Sequence, residues 1–277
     1  MLESAMLNQQ RSGRLAGLLD FSLRSLPHPY GRLFLRRVLL RHPLRSARGF
    51  WRYLRRPQSD ALEYQLTDRS DASFVPGAAA DPGRLLVATG FCQKPLPISG
   101  KHNGCPAGRF NHDCLYLETL RLGPPAEPLA DPACQDCFIR VLGHAALRAG
   151  SCFGILTSAT DIANDVLIPA LEDRRFTRCL VAVCPYSLEP MSLTLSICCV
   201  DGYVMAFDTG VCIGFREWLR ADLGNEPEQT ALPDEGVRKA FRLLNAVSEL
   251  TPGPENVAGF ESSGHIYRPR AANSAQA

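Results

Sequence analysis

Apolar residues follow two different rhythms along this chain. Before residue 57, leucines recur at helical spacing among arginines: Leu15, Leu18, Leu19, Leu23 and Leu26 form one stripe, with Ser12 as a candidate cap. A second helix is predicted from Pro29, carrying Leu33, Phe34, Leu35, Val38 and Leu39. A third runs from Pro43 to before Pro57. Its pattern sets Ala47, Phe50, Trp51 and Leu54 on one face and Arg45, Arg48, Arg52, Arg55 and Arg56 on the other.

After residue 84 the rhythm changes to short apolar runs alternating with amphipathic stretches. Residues 85–89, 153–156, 179–183 and 203–207 read as buried strands, and 138–150, 161–171, 215–221 and 235–250 as helices. Residues 191–199 fit either period. Alternation of this kind predicts an α/β fold, with a mainly parallel sheet flanked by helices. To that are added a basic helical N-terminal arm and a cysteine-rich loop region. The expected organisation is an arm over 1–57, a linker over 58–83 marked by Pro76, Pro82 and a Gly77-Ala-Ala-Ala run, an α/β domain over 84–250, and a flexible Pro/Gly-rich tail over 251–277.

Charge sharpens the first boundary. Residues 1–57 hold twelve arginines against Glu3 and Asp20, a net of +10; the whole chain is +2, so the remainder carries −8. A basic face beside an aromatic one suits an anionic membrane surface or an acidic protein partner. Nucleic acid is disfavoured, because no groove-fitting module is legible. No run approaches the roughly 18 apolar residues of a membrane span. Arg11, Arg14 and Asp20 interrupt any signal-like stretch, so a cytoplasmic protein, peripheral to a membrane at most, is expected.

The cysteines carry the chemistry. There are eleven, an odd number, so complete internal pairing is impossible. Five fall close together: Cys92, Cys105, Cys114, Cys134 and Cys137. The Cys134-Gln-Asp-Cys137 pair brings two sulfurs to one side of a turn, and Cys105 and Cys114 complete a four-thiolate set, with Cys92 in reserve. Four such ligands close a zinc site or hold an iron–sulfur cluster. The uneven spacing and the Cys105-Pro106 step favour an iron–sulfur cluster, with zinc the alternative. On this reading the protein is a redox or accessory partner of another enzyme, or else a zinc-stabilised scaffold. His102 and His112 lie in the same region and could replace a cysteine, although a histidine in a polar loop is ordinarily just solvated. Cys152, Cys179, Cys198 and Cys199 sit in or beside apolar runs and read as small buried hydrophobes.

A second candidate site comes from the strand ends, where open α/β sheets bind ligands. Cys92, Cys184 and Cys212 follow three predicted strands, and Thr157, Ser158 and Asp161 follow a fourth. Cys184 is the candidate nucleophile of such a crevice, and Thr157, Ser158, Asp161 and Cys212 its candidate cofactor-binding residues. Ser158, Thr160 or Asp161 equally serves as a helix cap. Asp161 and Asp165 stand one helical turn apart and could share a cation, though paired carboxylates there more often favour the helix dipole. The Asp208-Thr209-Gly210 triplet of aspartic proteases occurs once, without the β architecture or second copy it needs. No Walker loop or Gly-x-Gly-x-x-Gly turn is present.

Overall fold

The computed structural model describes residues 15–55, 63–65, 71–120, 122, 131–251 and 257–271. Seven strands form one sheet in the order β1-β5-β4-β2-β3-β7-β6. They are β1 Glu63–Gln65, β2 Leu85–Gly90, β3 Cys152–Leu156, β4 Arg178–Val183, β5 Asp201–Ala206, β6 Val257–Ser263 and β7 Ile266–Ala271. The four central strands pair in parallel, while β1 and the β6–β7 hairpin pair antiparallel at the two sides. The sheet is therefore mixed and mostly parallel. The central strands are buried on both faces, which is why they read as continuous apolar runs rather than as alternation.

Side chains alternate between two cores. Leu85, Val87, Phe153, Ile155, Leu180 and Met205 face one side. They meet the helix Phe138–Arg148 between β2 and β3, together with Asp71–Ala79 and Asp234–Leu250. Leu86, Ala88, Val181 and Val204 face the other. There they meet the helical segments of 159–173, between β3 and β4, and the helix Pro185–Cys198, between β4 and β5. Strand pairing needs close backbones at one point. Gly202 has φ +130°, and a Cβ there would lie 1.9 Å from the Cys179 carbonyl oxygen. Only glycine fits that approach.

Several expectations change. Residues 191–199, ambiguous by period, are helical through Cys198. The ambiguity has a cause: this helix lies between the sheet and the N-terminal helices, so nearly all its faces are buried and no stripe stands out. Cys152, Cys179 and Cys198 are buried as expected, but Cys199 is exposed, ending that helix in a left-handed conformation. The stretch expected to be a linker supplies β1 and the helix Asp71–Ala79, whose Phe74 packs on Tyr203. Where a flexible tail is expected, residues 257–271 form the β6–β7 hairpin, held by Ile266 and Phe260 in the two cores.

The basic N-terminal segment is docked rather than detached. Residues 15–25, Pro29–Phe34 with its π-helical continuation Leu35–Leu40, and Pro43–Arg55 are helical. The last of these buries Gly49 and Tyr53 and leaves Phe50 and Trp51 exposed, so it docks through the face of Gly49 and Tyr53 rather than that of Phe50 and Trp51. The reason is packing: a Cβ on Gly49 would come within 2.4 Å of the Ile197 Cα, so two helices meet through a residue that hydropathy does not mark. Arg45 and Arg52 donate to the carbonyls of Leu171 and Ser196, near the C-terminal ends of two body helices. Among the described residues no helix is long and apolar enough to cross a membrane.

Candidate functional site

The connection leaving β2 passes over one face of the sheet, and the one leaving β4 over the other. The carboxyl ends of these neighbouring strands therefore open a crevice at a topological switch point, the usual ligand position in such sheets. A cavity of about 90 Å³ lies there, and Cys92, Cys184, Cys212 and Thr157 line it. Cys92 follows β2, Cys184 follows β4 and caps the helix Pro185–Cys198, and Cys212 arrives on the loop after β5. Gly90 leaves room for them: a Cβ there would lie 2.8 Å from the Cys92 sulfur.

The three thiols line this one cavity, and Cys184 interacts with both of the others. Interaction with Cys212 and Cys92 outweighs burial and holds the Cys184 thiol below its ordinary value. Its neighbours shift the opposite way: interaction with Cys184, then burial, pushes Cys92 and Cys212 up. The one proton of Cys212 is donated to Glu226 Oε2, 3.2 Å from its Sγ, and Thr230 Oγ1 donates to Cys92 Sγ at 3.1 Å. Arg109 ties the loops together by donating to the carbonyls of Cys92, Glu226 and Glu228.

Ser158 and Asp161 serve a neighbouring group. They form a capping box, Ser158 Oγ accepting from the Asp161 amide at 3.1 Å. Asp161 Oδ2 in turn receives the hydroxyls of Thr157 and Ser158, each at 2.7 Å. Burial pushes this carboxyl up, but those donors and nearby His112 outweigh it and hold it below its usual value. His112 Nδ1 lies 2.9 Å from the Ile155 carbonyl, an acceptor only, so Nδ1 carries the proton. Burial, the largest influence, holds His112 below its ordinary value and keeps the ring neutral at pH 7. Its Nε2 then carries the lone pair, 2.9 Å from Thr157 Oγ1 and 3.6 Å from Asp161 Oδ2, and the one Thr157 proton goes either to this nitrogen or to the Asp161 carboxylate.

His265, in the β6–β7 turn, stacks on His112 with ring centres 3.7 Å apart and planes within 3°. Its Nδ1 lies 2.7 Å from Asp165 Oδ2, and among the described residues its Nε2 makes no hydrogen bond. His112, Asp161 and His265 offer ligand atoms within 4.8 Å of one another, a group capable of coordinating a metal ion. The sequence reading included Asp161 and, as a substitute ligand, His112, but it missed His265. The Asp161–Asp165 spacing was the available signal; Asp165 serves not as a ligand but as the anchor of His265.

The four cysteines proposed as a ligand set are brought together more loosely. Cys114, Cys134 and Cys137 each lie in the electrostatic field of Cys105. Burial pushes Cys114 up to about 12 and Cys134 to about 11. Among the described residues their sulfurs form no three-ligand group as compact as the histidine one. Lys94 stands beside them, 1% exposed, with its ammonium donating to the carbonyls of Gly108, Asn111 and Asp113 and to Asn111 Oδ1. His102 is a structural residue, its Nδ1 accepting from the Gly104 amide at 3.2 Å.

Comparison with protein-family models, curated proteins and solved structures finds no match, so the reading of this site rests on its own geometry.

Proposed function

We propose that this protein binds a divalent metal ion of the zinc type through His112 Nε2, the Asp161 carboxylate and His265 Nε2. One observation carries the reading: both imidazoles have Nδ1 engaged by an acceptor, Ile155 O and Asp165, which leaves each Nε2 as the ligand atom, and the two rings and Asp161 offer ligand atoms within 4.8 Å of one another. Metal-binding histidines are oriented in this way by an outer partner on the second ring nitrogen. Three protein ligands leave a coordination position open, as in catalytic rather than structural zinc sites, and such an ion polarises a substrate oxygen or a water. Lone pairs of parallel rings lie in parallel planes, so loading the ion tilts the rings apart. The exposed turn carrying His265 supplies the freedom.

The test is metal analysis of the purified chain followed by zinc titration. About one zinc per chain, lost in His112→Ala and Asp161→Ala, is expected. Stoichiometric zinc retained in both variants would refute the site.

A second reading keeps an iron–sulfur cluster on Cys105, Cys114, Cys134 and Cys137, with a redox or accessory role. Buried Lys94 favours it, because four thiolates around a metal centre carry net negative charge that an ammonium offsets. Anaerobic purification would then give a brown protein, whose colour is lost in Cys134→Ser and kept in His112→Ala. The exposed Leu19, Leu23, Leu44 and Trp51, set among arginines, further support docking of the N-terminal helices on an anionic membrane. Flotation with phosphatidylserine vesicles, lost on Trp51→Ser with Leu44→Ser, tests that proposal.

A further inference from the structure

The three-thiol crevice at the switch point is used by neither metal reading. We propose that it is a thiol–disulfide exchange site, in which Cys184 attacks a small disulfide and Cys212 resolves the mixed disulfide with Glu226 as its base. Three features of the geometry support this. Cys184 is the partly exposed member of the three, whereas Cys92 and Cys212 are buried behind it, so an incoming group meets Cys184 first. Cys212 lies between Cys184 and Glu226, so its single proton goes to the carboxylate and leaves its sulfur free toward Cys184. The cavity of about 90 Å³, walled by Phe91, Met191, Phe207 and Trp218, has room for one disulfide and its flanking methylenes but not for a folded chain.

The chemistry balances with a low-molecular-weight disulfide as the oxidant. Cys184 gives its proton to solvent, and its thiolate attacks one sulfur of RSSR. The S–S bond breaks, RS⁻ leaves and takes a proton from solvent, and Cys184 carries a mixed disulfide. Cys212 then passes its proton to Glu226 and attacks the Cys184 sulfur. A Cys184–Cys212 disulfide forms, and the second RS⁻ leaves with the proton held by Glu226. RSSR is reduced by two electrons to two RSH, and two protein thiols are oxidised to one disulfide. Excess thiol runs the sequence backwards. Cys92, held by Thr230, takes no covalent part.

The experiment uses the full chain carrying Cys199→Ser, which removes an exposed thiol, and bis(2-hydroxyethyl) disulfide as the probe. Samples are quenched with an alkylating agent and mapped by peptide mass. The expected course is an early adduct on Cys184, followed by a Cys184–Cys212 crosslink. Cys212→Ser is expected to stop at the Cys184 adduct, and Cys184→Ser to abolish both species. In Glu226→Gln the adduct forms at the parental rate and the crosslink at least tenfold more slowly. An early adduct on another cysteine, a crosslink to Cys92, or a Cys184→Ser chain that still forms the Cys212 bridge would overturn the proposal. The early adduct is read on the chain with all three crevice thiols intact, so the test survives a variant that fails to fold.

Discussion

Lys94→Met isolates the interaction that organises the loop between β2 and the helix Leu115–Thr119. The substitution keeps an unbranched apolar stem and removes the ammonium. Three carbonyls, those of Gly108, Asn111 and Asp113, and the Asn111 side-chain oxygen then lose a charged donor. Each orphaned buried acceptor costs about 1–3 kcal/mol. Part of that is recovered because water enters a relaxed loop and the ammonium no longer has to be desolvated. Removing one partner from a buried charged network costs about 3–5 kcal/mol, and that is the expected loss. At about 2–4 °C per kcal/mol for a chain of this size, Tm falls by roughly 6–20 °C. Urea unfolding followed by circular dichroism, with the slope unchanged, gives the free energy directly. Lys101→Met, at an exposed position, serves as control and is expected to stay within about 0.5 kcal/mol of the parent. The loop also carries His112, so zinc affinity falls with the loop's order. A loss below about 1 kcal/mol in Lys94→Met would refute the claim that this ammonium holds the loop.

Three further predictions follow from the same geometry. Asp165→Asn removes no ligand but loosens His265, so zinc affinity measured by chelator competition drops about 10–100-fold; unchanged affinity would show that Asp165 does not orient the ring. His112 is held below its ordinary value, so on acidification the unfolded chain takes up its proton before the folded one. Stability therefore declines as pH falls below about 6.5, by at most about 1.4 kcal/mol per pH unit from this group. His112→Gln removes that slope between pH 7 and 5, while Asp161, also held low, adds its own loss only as pH drops through the carboxylate range; equal slopes in parent and variant would contradict the assignment. Gly202→Ala forces a Cβ against the Cys179 carbonyl at a left-handed φ, costing at least about 3 kcal/mol, visible as a lowered urea midpoint or insoluble chain.

The strands and body helices were legible because burial on two faces writes continuous apolar runs, and partial burial writes a helical stripe. Thus 85–89, 153–156 and 179–183 fall inside β2, β3 and β4, and Cys184 and Cys92 could be placed at strand ends from order alone. Capping by Ser158 was equally local, since both partners lie within one turn. What the sequence could not determine was which strand ends are neighbours. The crevice exists because β2 and β4 pair while their outgoing connections pass to opposite faces, a property of sheet order rather than of either segment. His265 reaches His112 only because the C-terminal hairpin pairs with β3 at Phe153 and Gly154, across more than a hundred residues of chain. Gly49 docks a basic helix through a residue invisible to hydropathy. Local propensity and burial pattern are properties of a few adjacent residues. Ligand geometry is set by long-range pairing, and it took the tertiary structure to decide which of the chain's thiols, imidazoles and carboxylates meet.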